Sequence, residues 1–148
     1  MIITPTFDNE VIKNIMLEPE IAKLVFTDEE IKNFIVDHSW QYLLIKNHNK
    51  ITGMYQVKGL TKTVLEMHPF VVMENKGENH QEKLDALHSW AKKRKYLKIF
   101  TTIPSNAIHA LKAAQKHGYT SCGMIEKGIV YHGLLATLFF FEFDLYKR

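Results

Sequence analysis

Apolar residues recur at helical spacing twice near the start of this chain and at strand spacing thereafter. Val11, Ile12, Ile15 and Met16 share one helical face, with Asp8 placed to cap the first turn and Pro19 beyond the last. Thr27-Asp28-Glu29-Glu30 has the form of a capping box, and Ile31, Phe34 and Ile35 follow on one face. The pattern predicts two short helices ahead of the first strand. From Trp40 the period shortens: WQYLLIK, a polar turn at His48-Asn49-Lys50, ITGMYQV, a second turn near Gly59, then TVLEMHPFVV, which together read as an antiparallel meander.

Helical spacing returns over residues 81–95, where Leu84, Leu87, Trp90 and Ala91 form a core stripe and Glu82, Asp85, Lys92 and Lys93 face water. LKIFTTI, bounded by Pro104, suits a buried parallel strand reached by a crossover through that helix. A helix over 105–117 ends at Gly118-Tyr119, and Ser105 or Asn106 can cap its start. SCGMIEKGIVY and LLATLFFFEFDLY complete the chain as two strands joined at His132-Gly133, a tight hairpin turn. Phe139, Phe140 and Phe141 read either as a strand buried on both faces or as a dimer interface.

Composition narrows the class. The chain has 148 residues, 46% hydrophobic and 24% charged, which fits one globular domain over 1–148. No run approaches the ~20 apolar residues of a membrane span, and the N-terminus lacks the basic start and apolar stretch of a secretion signal. The expectation is a cytoplasmic protein with no membrane partner. Cys122 is the one cysteine, so an internal disulfide and a thiolate zinc cluster are excluded; it reads as a small core residue rather than a nucleophile. The net charge of +3 is modest and its dense part is confined to Lys92, Lys93, Arg94 and Lys95, too little to argue for nucleic acid. The eight histidines hold no HxxxH or HExxH pair, and His80/His88 and His109/His117 are each eight apart. On a helix that is about 12 Å, too far to share an ion, so no metal is expected.

Two features bear on chemistry. The strand over 64–72 runs into a Gly-containing polar loop and then a helix, so the unpaired N–H groups of that helix start are aimed at the carboxyl end of the strand, a ready anion site. On the same strand Glu66 and His68 share a face at period two, with Leu65 and Met67 on the other. His68 has the better intrinsic pKa for a general base near neutrality. Its alternative is a histidine satisfied by hydrogen bonds that braces the turn before Pro69, and for Glu66 the alternative is a salt bridge across the meander.

The whole span from Val64 to Tyr119, in the order strand, polar loop, long helix, strand, helix, Gly-Tyr, resembles the acetyl-CoA-binding core of the GNAT superfamily of N-acetyltransferases. The HPFVV strand and the ending EKGIVYHGLLATLFFFEFDL look like a branch of short members from bacteria and phages. The resemblance implies an α/β (α+β) fold: a mixed, mostly antiparallel twisted sheet with a central splayed parallel strand pair and flanking helices. It also implies that Phe70, Val71 and Val72 give main-chain contacts to the pantetheine arm, and that Asn75, Lys76, Gly77, Glu78, Asn79 and His80 wrap the pyrophosphate of acetyl-CoA. The family's loop pattern is Gln or Arg, two residues, Gly, one residue, then Gly or Ala. A start at Glu74 places Gly77 on the first glycine, a start at Asn75 suits the helix position, and neither fills the pattern.

By the same resemblance Asn106 stands near an Asn that bonds the pantetheine arm, one residue early when counted from Gly118. The helix tyrosine that many members use as general acid is replaced by Ala113 and Ala114, while Tyr119 takes a packing position. The implied activity is acetyl transfer from acetyl-CoA to a primary amine on a small molecule or protein, with His68 or Glu66 as base. The alternative is a catalytically degenerate GNAT-fold interaction protein that still binds CoA. A homodimer through the C-terminal strands is compatible with either.

Overall fold

Seven strands form one sheet in the order β1-β2-β3-β4-β5-β7-β6 in the computed structural model, which describes residues 1–19, 21–22, 26–71 and 80–147. The elements in chain order are β1 (Ile2–Thr6), α1 (Asn9–Met16), α2 (Asp28–Lys32), β2 (Gln41–Asn47), β3 (Lys50–Gly59), β4 (Val64–Val71), α3 (His80–Lys93), β5 (Lys98–Pro104), α4 (Ile108–Lys116), β6 (Thr120–Tyr131) and β7 (Leu134–Asp144). Only β4 and β5 run parallel; every other neighbouring pair is antiparallel. The architecture is the α/β (α+β), mixed, mostly antiparallel sheet that the sequence led us to expect.

The local signals explain most of these elements. Asp8 accepts from the N–H groups of Glu10 and Val11 to start α1, and Thr27 and Glu30 form the reciprocal capping box at α2. The β2–β3 turn has His48 and Asn49 at φ 51° and 67°, and the β6–β7 turn has His132 and Gly133 at φ 55° and 72°. Two consecutive positive φ values give the hairpin turn whose twist matches the flanking strands.

Four sequence expectations need correcting. A strand, β1, precedes both helices and pairs with β2 from Ile2↔Lys46 to Thr6↔Tyr42. Its five residues include Pro5, which hides the period-two pattern and is tolerated because β1 is an edge. Helix α2 stops at Lys32 and buries no residue, and Ile35 is 85% exposed instead of joining a core face. Cys122 is exposed, because the pairing of β6 with β7 slips between Ser121 and Gly123 and leaves it at a bulge. Phe141 is buried, but Phe139 and Phe140 are only half-buried, so β7 is not covered on both faces.

Alternation along the strands feeds two apolar clusters on opposite faces. Leu43, Ile45, Tyr55, Val57, Leu65 and Met67 pack against Leu84, Leu87, Trp90 and Ala91 of α3, with Leu111 and Ala114 of α4 alongside. Tyr42, Leu44, Met54 and Phe70 pack against Ile12 and Met16 of α1 on the other face. Among the described residues no helix is long and apolar enough to cross a membrane.

Candidate active site

The parallel pair β4/β5 is joined over three positions only, Val64↔Lys98, Leu65↔Ile99 and Glu66↔Phe100. Beyond them β4 stays with β3 as far as Gly53↔Val71, and β5 stays with β7 as far as Pro104↔Leu138. Each strand therefore follows its outer partner and a V-shaped gap opens between them. A proline inside a sheet is tolerated at an edge, and Pro69 falls where β4 has one, on its β5 side.

A cavity of about 540 Å³ runs through this gap and is lined from both faces of the sheet. On the α3/α4 face its wall includes Leu84, Tyr119 and the small residues Ala107, Ala110, Ala113 and Ala114. Side chains this short let the α4 backbone approach an occupant closely. They also mean that the helix positions compared with a general-acid tyrosine offer methyl groups and no hydroxyl. On the other face the wall includes Trp40, Met54, Gln56, His68, Phe70 and Leu138.

His68 and Glu66 meet as their shared face requires: His68 Nε2 lies 2.7 Å from Glu66 Oε2, with the side chains 27% and 21% exposed. An ionised carboxylate only accepts, so Nε2 carries the proton toward Glu66 and a neutral ring keeps Nδ1 as a proton acceptor. The ring is further held edge-on to Trp40 at 5.5 Å between centroids, and Gln56 sits directly across the β3–β4 ladder. His68 lines the cavity, with Glu66 as its orienting partner.

The α3/α4 side of the cavity is basic. His80, Lys83 and His117 all line it, near the start of α3 and the end of α4. The His80 and His117 rings stack at 5.8 Å, and His117 Nδ1 lies 2.8 Å from Gln81 Oε1. Burial, then the charges of Lys83, His117 and Lys116, hold the His80 pKa below its ordinary value. Lys83 is buried, with Nζ donating toward the Thr52 carbonyl at 3.5 Å. No Asp or Glu lines the cavity among the described residues. His80, Lys83 and His117 together supply N–H donors and positive charge at this end, a donor set that fits the phosphates of CoA. Sequence reasoning named His80 but missed Lys83 and His117. The available signal was Lys83 one helical turn after His80, a cation in a position otherwise reading as core.

Of the remaining expected site residues, Phe70 lines the cavity and Val71 closes the β3 ladder opposite Gly53. Val72, Asn75, Lys76, Gly77, Glu78 and Asn79 lie outside the described residues. Asn106 does not line the cavity: its Nδ2 donates to the Tyr131 carbonyl at 2.9 Å, while its buried Oδ1 has no partner. Neither Asn106 nor Ser105 caps α4, whose N-cap is Ala107 without a side-chain bond; Ser105 Oγ instead accepts from the Thr137 N–H and ties β5 to β7.

Tyr119 is fixed in the core by a hydrogen bond between its hydroxyl and His88 Nε2 at 2.9 Å. Burial pushes the His88 pKa down to about 4 and raises that of Tyr119 above its ordinary value. His88 also stacks on Phe143 at 4.2 Å. Gly118, at φ +86° with the Phe143 ring 3.4 Å from where a Cβ would stand, makes the turn that delivers Tyr119. Among the described residues no three His, Cys, Asp or Glu side chains converge as a metal site.

No protein-family model matches the sequence, and no curated protein does. Solved structures match over nearly the full length. A GNAT family acetyltransferase from Elizabethkingia anophelis with acetyl-CoA bound superposes with a TM-score of 0.73 at 16% identity, covering 96% of each chain. A ribosomal-protein-alanine N-acetyltransferase from Brucella melitensis gives 0.72 at 14% identity, covering 97% of this chain and 99% of that one. A spermidine N-acetyltransferase variant from Vibrio cholerae gives 0.74 at 13% identity, covering 98% and 95%. At such identities the likeness establishes the fold, and this chain has the GNAT fold.

Proposed function

We propose that the chain is a single-domain acetyl-CoA-dependent N-acetyltransferase that passes an acetyl group to a primary amine by direct attack on the thioester. The observation that carries this reading is the cavity threading the β4/β5 gap, which opens toward both faces of the sheet. Acetyl-CoA enters from the α3/α4 face with its phosphates toward His80, Lys83, His117 and the loop of Asn75, Lys76, Gly77, Glu78 and Asn79. Main-chain groups at Phe70, Val71 and Val72 line the acyl end, and Asn106 sits in the turn before α4, where it is bonded to Tyr131. The acceptor comes from the face of Trp40 and His68.

His68 Nδ1 takes the amine proton as nitrogen attacks the thioester carbon, and Glu66 stabilises the imidazolium that forms. The new C–N bond replaces the C–S bond. With alanine at 113 and 114, water returns a proton to the thiolate. Tight positioning of amine and carbonyl in a narrow slot supplies much of the rate.

The test is the melting temperature with and without millimolar acetyl-CoA, since a ligand held only by the native state raises it. An unchanged melting temperature would end this reading. The absence of a hydroxyl at Ala113 and Ala114 favours a second one, a GNAT-fold interaction protein that keeps CoA without turnover. It predicts the same thermal shift with no acetylation of any amine. Exposed Met124, Ile125, Val130, Leu134 and Leu135 around the edge strand β6 support a homodimer through the C-terminal strands, which sedimentation velocity tests.

A further inference from the structure

The two halves of the cavity differ in charge, and from that difference we infer the class of acceptor: a primary amine carried on an apolar, ring-sized body with no second positive charge. This rests on the acetyl-transfer reading above. The acceptor half is walled by Trp40, Met54, Phe70 and Leu138, with Gln56, His68, Thr102 and Tyr131 as polar members, none of them a carboxylate. Two of these are already engaged. Gln56 Nε2 donates to the Tyr42 hydroxyl at 3.4 Å, and His68 is paired with Glu66.

Two described carboxylates stand near this wall without lining the cavity: Glu66, whose bond to His68 commits it to the reacting amine, and Asp37, which is exposed to solvent and interacts with Lys58. A second ammonium in this half would lose its water and meet no carboxylate among the described lining residues, a costly exchange. The face of Trp40 offers no alternative, because Lys58 Nζ stands 5.2 Å from its ring centroid. Lys58 also lies directly across the ladder from Glu66, adding positive charge at the rim. An uncharged body, by contrast, gains by covering Trp40, Phe70, Met54 and Leu138.

The experiment compares 2-phenylethylamine and tryptamine with putrescine and spermidine, reading thiol release at fixed acetyl-CoA and, separately, calorimetric binding of each amine. The aryl monoamines are expected to exceed the di- and triamines in kcat/KM by about tenfold or more, the scale on which pockets discriminate by burial and unpaired charge. Trp40→Ala removes that preference by raising KM for the monoamines while the acetyl-CoA thermal shift persists; Trp40→Phe, which keeps a ring, retains it. Gln56→Glu places a carboxylate in the wall and moves the preference toward putrescine. Equal or better use of putrescine or spermidine by the unaltered protein overturns the inference, as does a Trp40→Ala variant with unchanged discrimination. If no amine is turned over, the binding order decides in the same way, and no binding of the monoamines counts against it. A missing acetyl-CoA shift marks failure of the acetyl-transfer reading instead.

Discussion

The lower and upper stretches of β4 and β5 show what one strand pair does when joined and when parted. Where the strands pair, Leu65 and Ile99 are 1% and 0% exposed and the backbone ladder is closed. Where they part, from Met67 and Thr101 onward, an edge of each strand faces a cavity whose lining combines buried Met67, Phe70, Thr101 and Ile103 with half-buried His68 and Thr102, and the backbone ladder is open. The lower stretch is built for stability and the upper one gives stability up. An open edge in mid-sheet persists because the β2–β3 and β6–β7 hairpins hold the two strands from outside. The gap is thus a property of the partners that flank it more than of the residues that line it.

Changes in the two stretches should separate rate from stability. His68→Ala is expected to cost about a hundredfold or more in turnover, the range for losing a general base, with acetyl-CoA still raising the melting temperature. Glu66→Gln should lose less, because it weakens the orientation of the base without removing it. Steady-state rates on one amine decide, and equal turnover in both variants removes the strand-borne base from the account.

In the joined stretch Ile99→Ala should lose about 2–5 kcal/mol in denaturant unfolding, transfer and cavity terms together. Thr102→Ala, in the parted stretch, should stay under about 1 kcal/mol. Similar losses at the two sites would erase the distinction.

A third comparison uses pH. His88 beside Tyr119 has a folded pKa of about 4 against an ordinary 6.5, so the unfolded chain binds more protons between those values. Its contribution is fully present above pH 6.5, declines as the pH falls toward 4 and is level below. His80, also lowered by burial, acts in the same direction. Melting temperatures across that window should fall less steeply in His88→Phe than in the unaltered protein. The smallest effect lies away from both stretches, where Thr27→Ala should cost about 1 kcal/mol by undoing the α2 capping box and leave acetyl-CoA binding unchanged.

Local chemistry was readable in the sequence wherever a residue acts through its own neighbours. Asp8, the Thr27–Glu30 box, the two hairpin turns, Gly118 and the shared face of Glu66 and His68 all follow from spacing of four residues or fewer. What could not be read depends on partners distant in sequence. β1 is a strand because β2 lies beside it, and Cys122 is exposed because β6 slips against β7. Lys83 and His117 belong to the cavity because α3 and α4 converge there. The parting of β4 from β5 came from family resemblance; its trace in the residues is Pro69, a proline in an otherwise central strand.

A crystal structure grown with CoA tests the central claim most directly. The account predicts the pantetheine arm lying between residues 67–71 and 101–104, its main-chain contacts on the β4 edge and its phosphates toward Lys83 and His80. Strands β4 and β5 paired along their whole length, or CoA seated outside the gap, would contradict it.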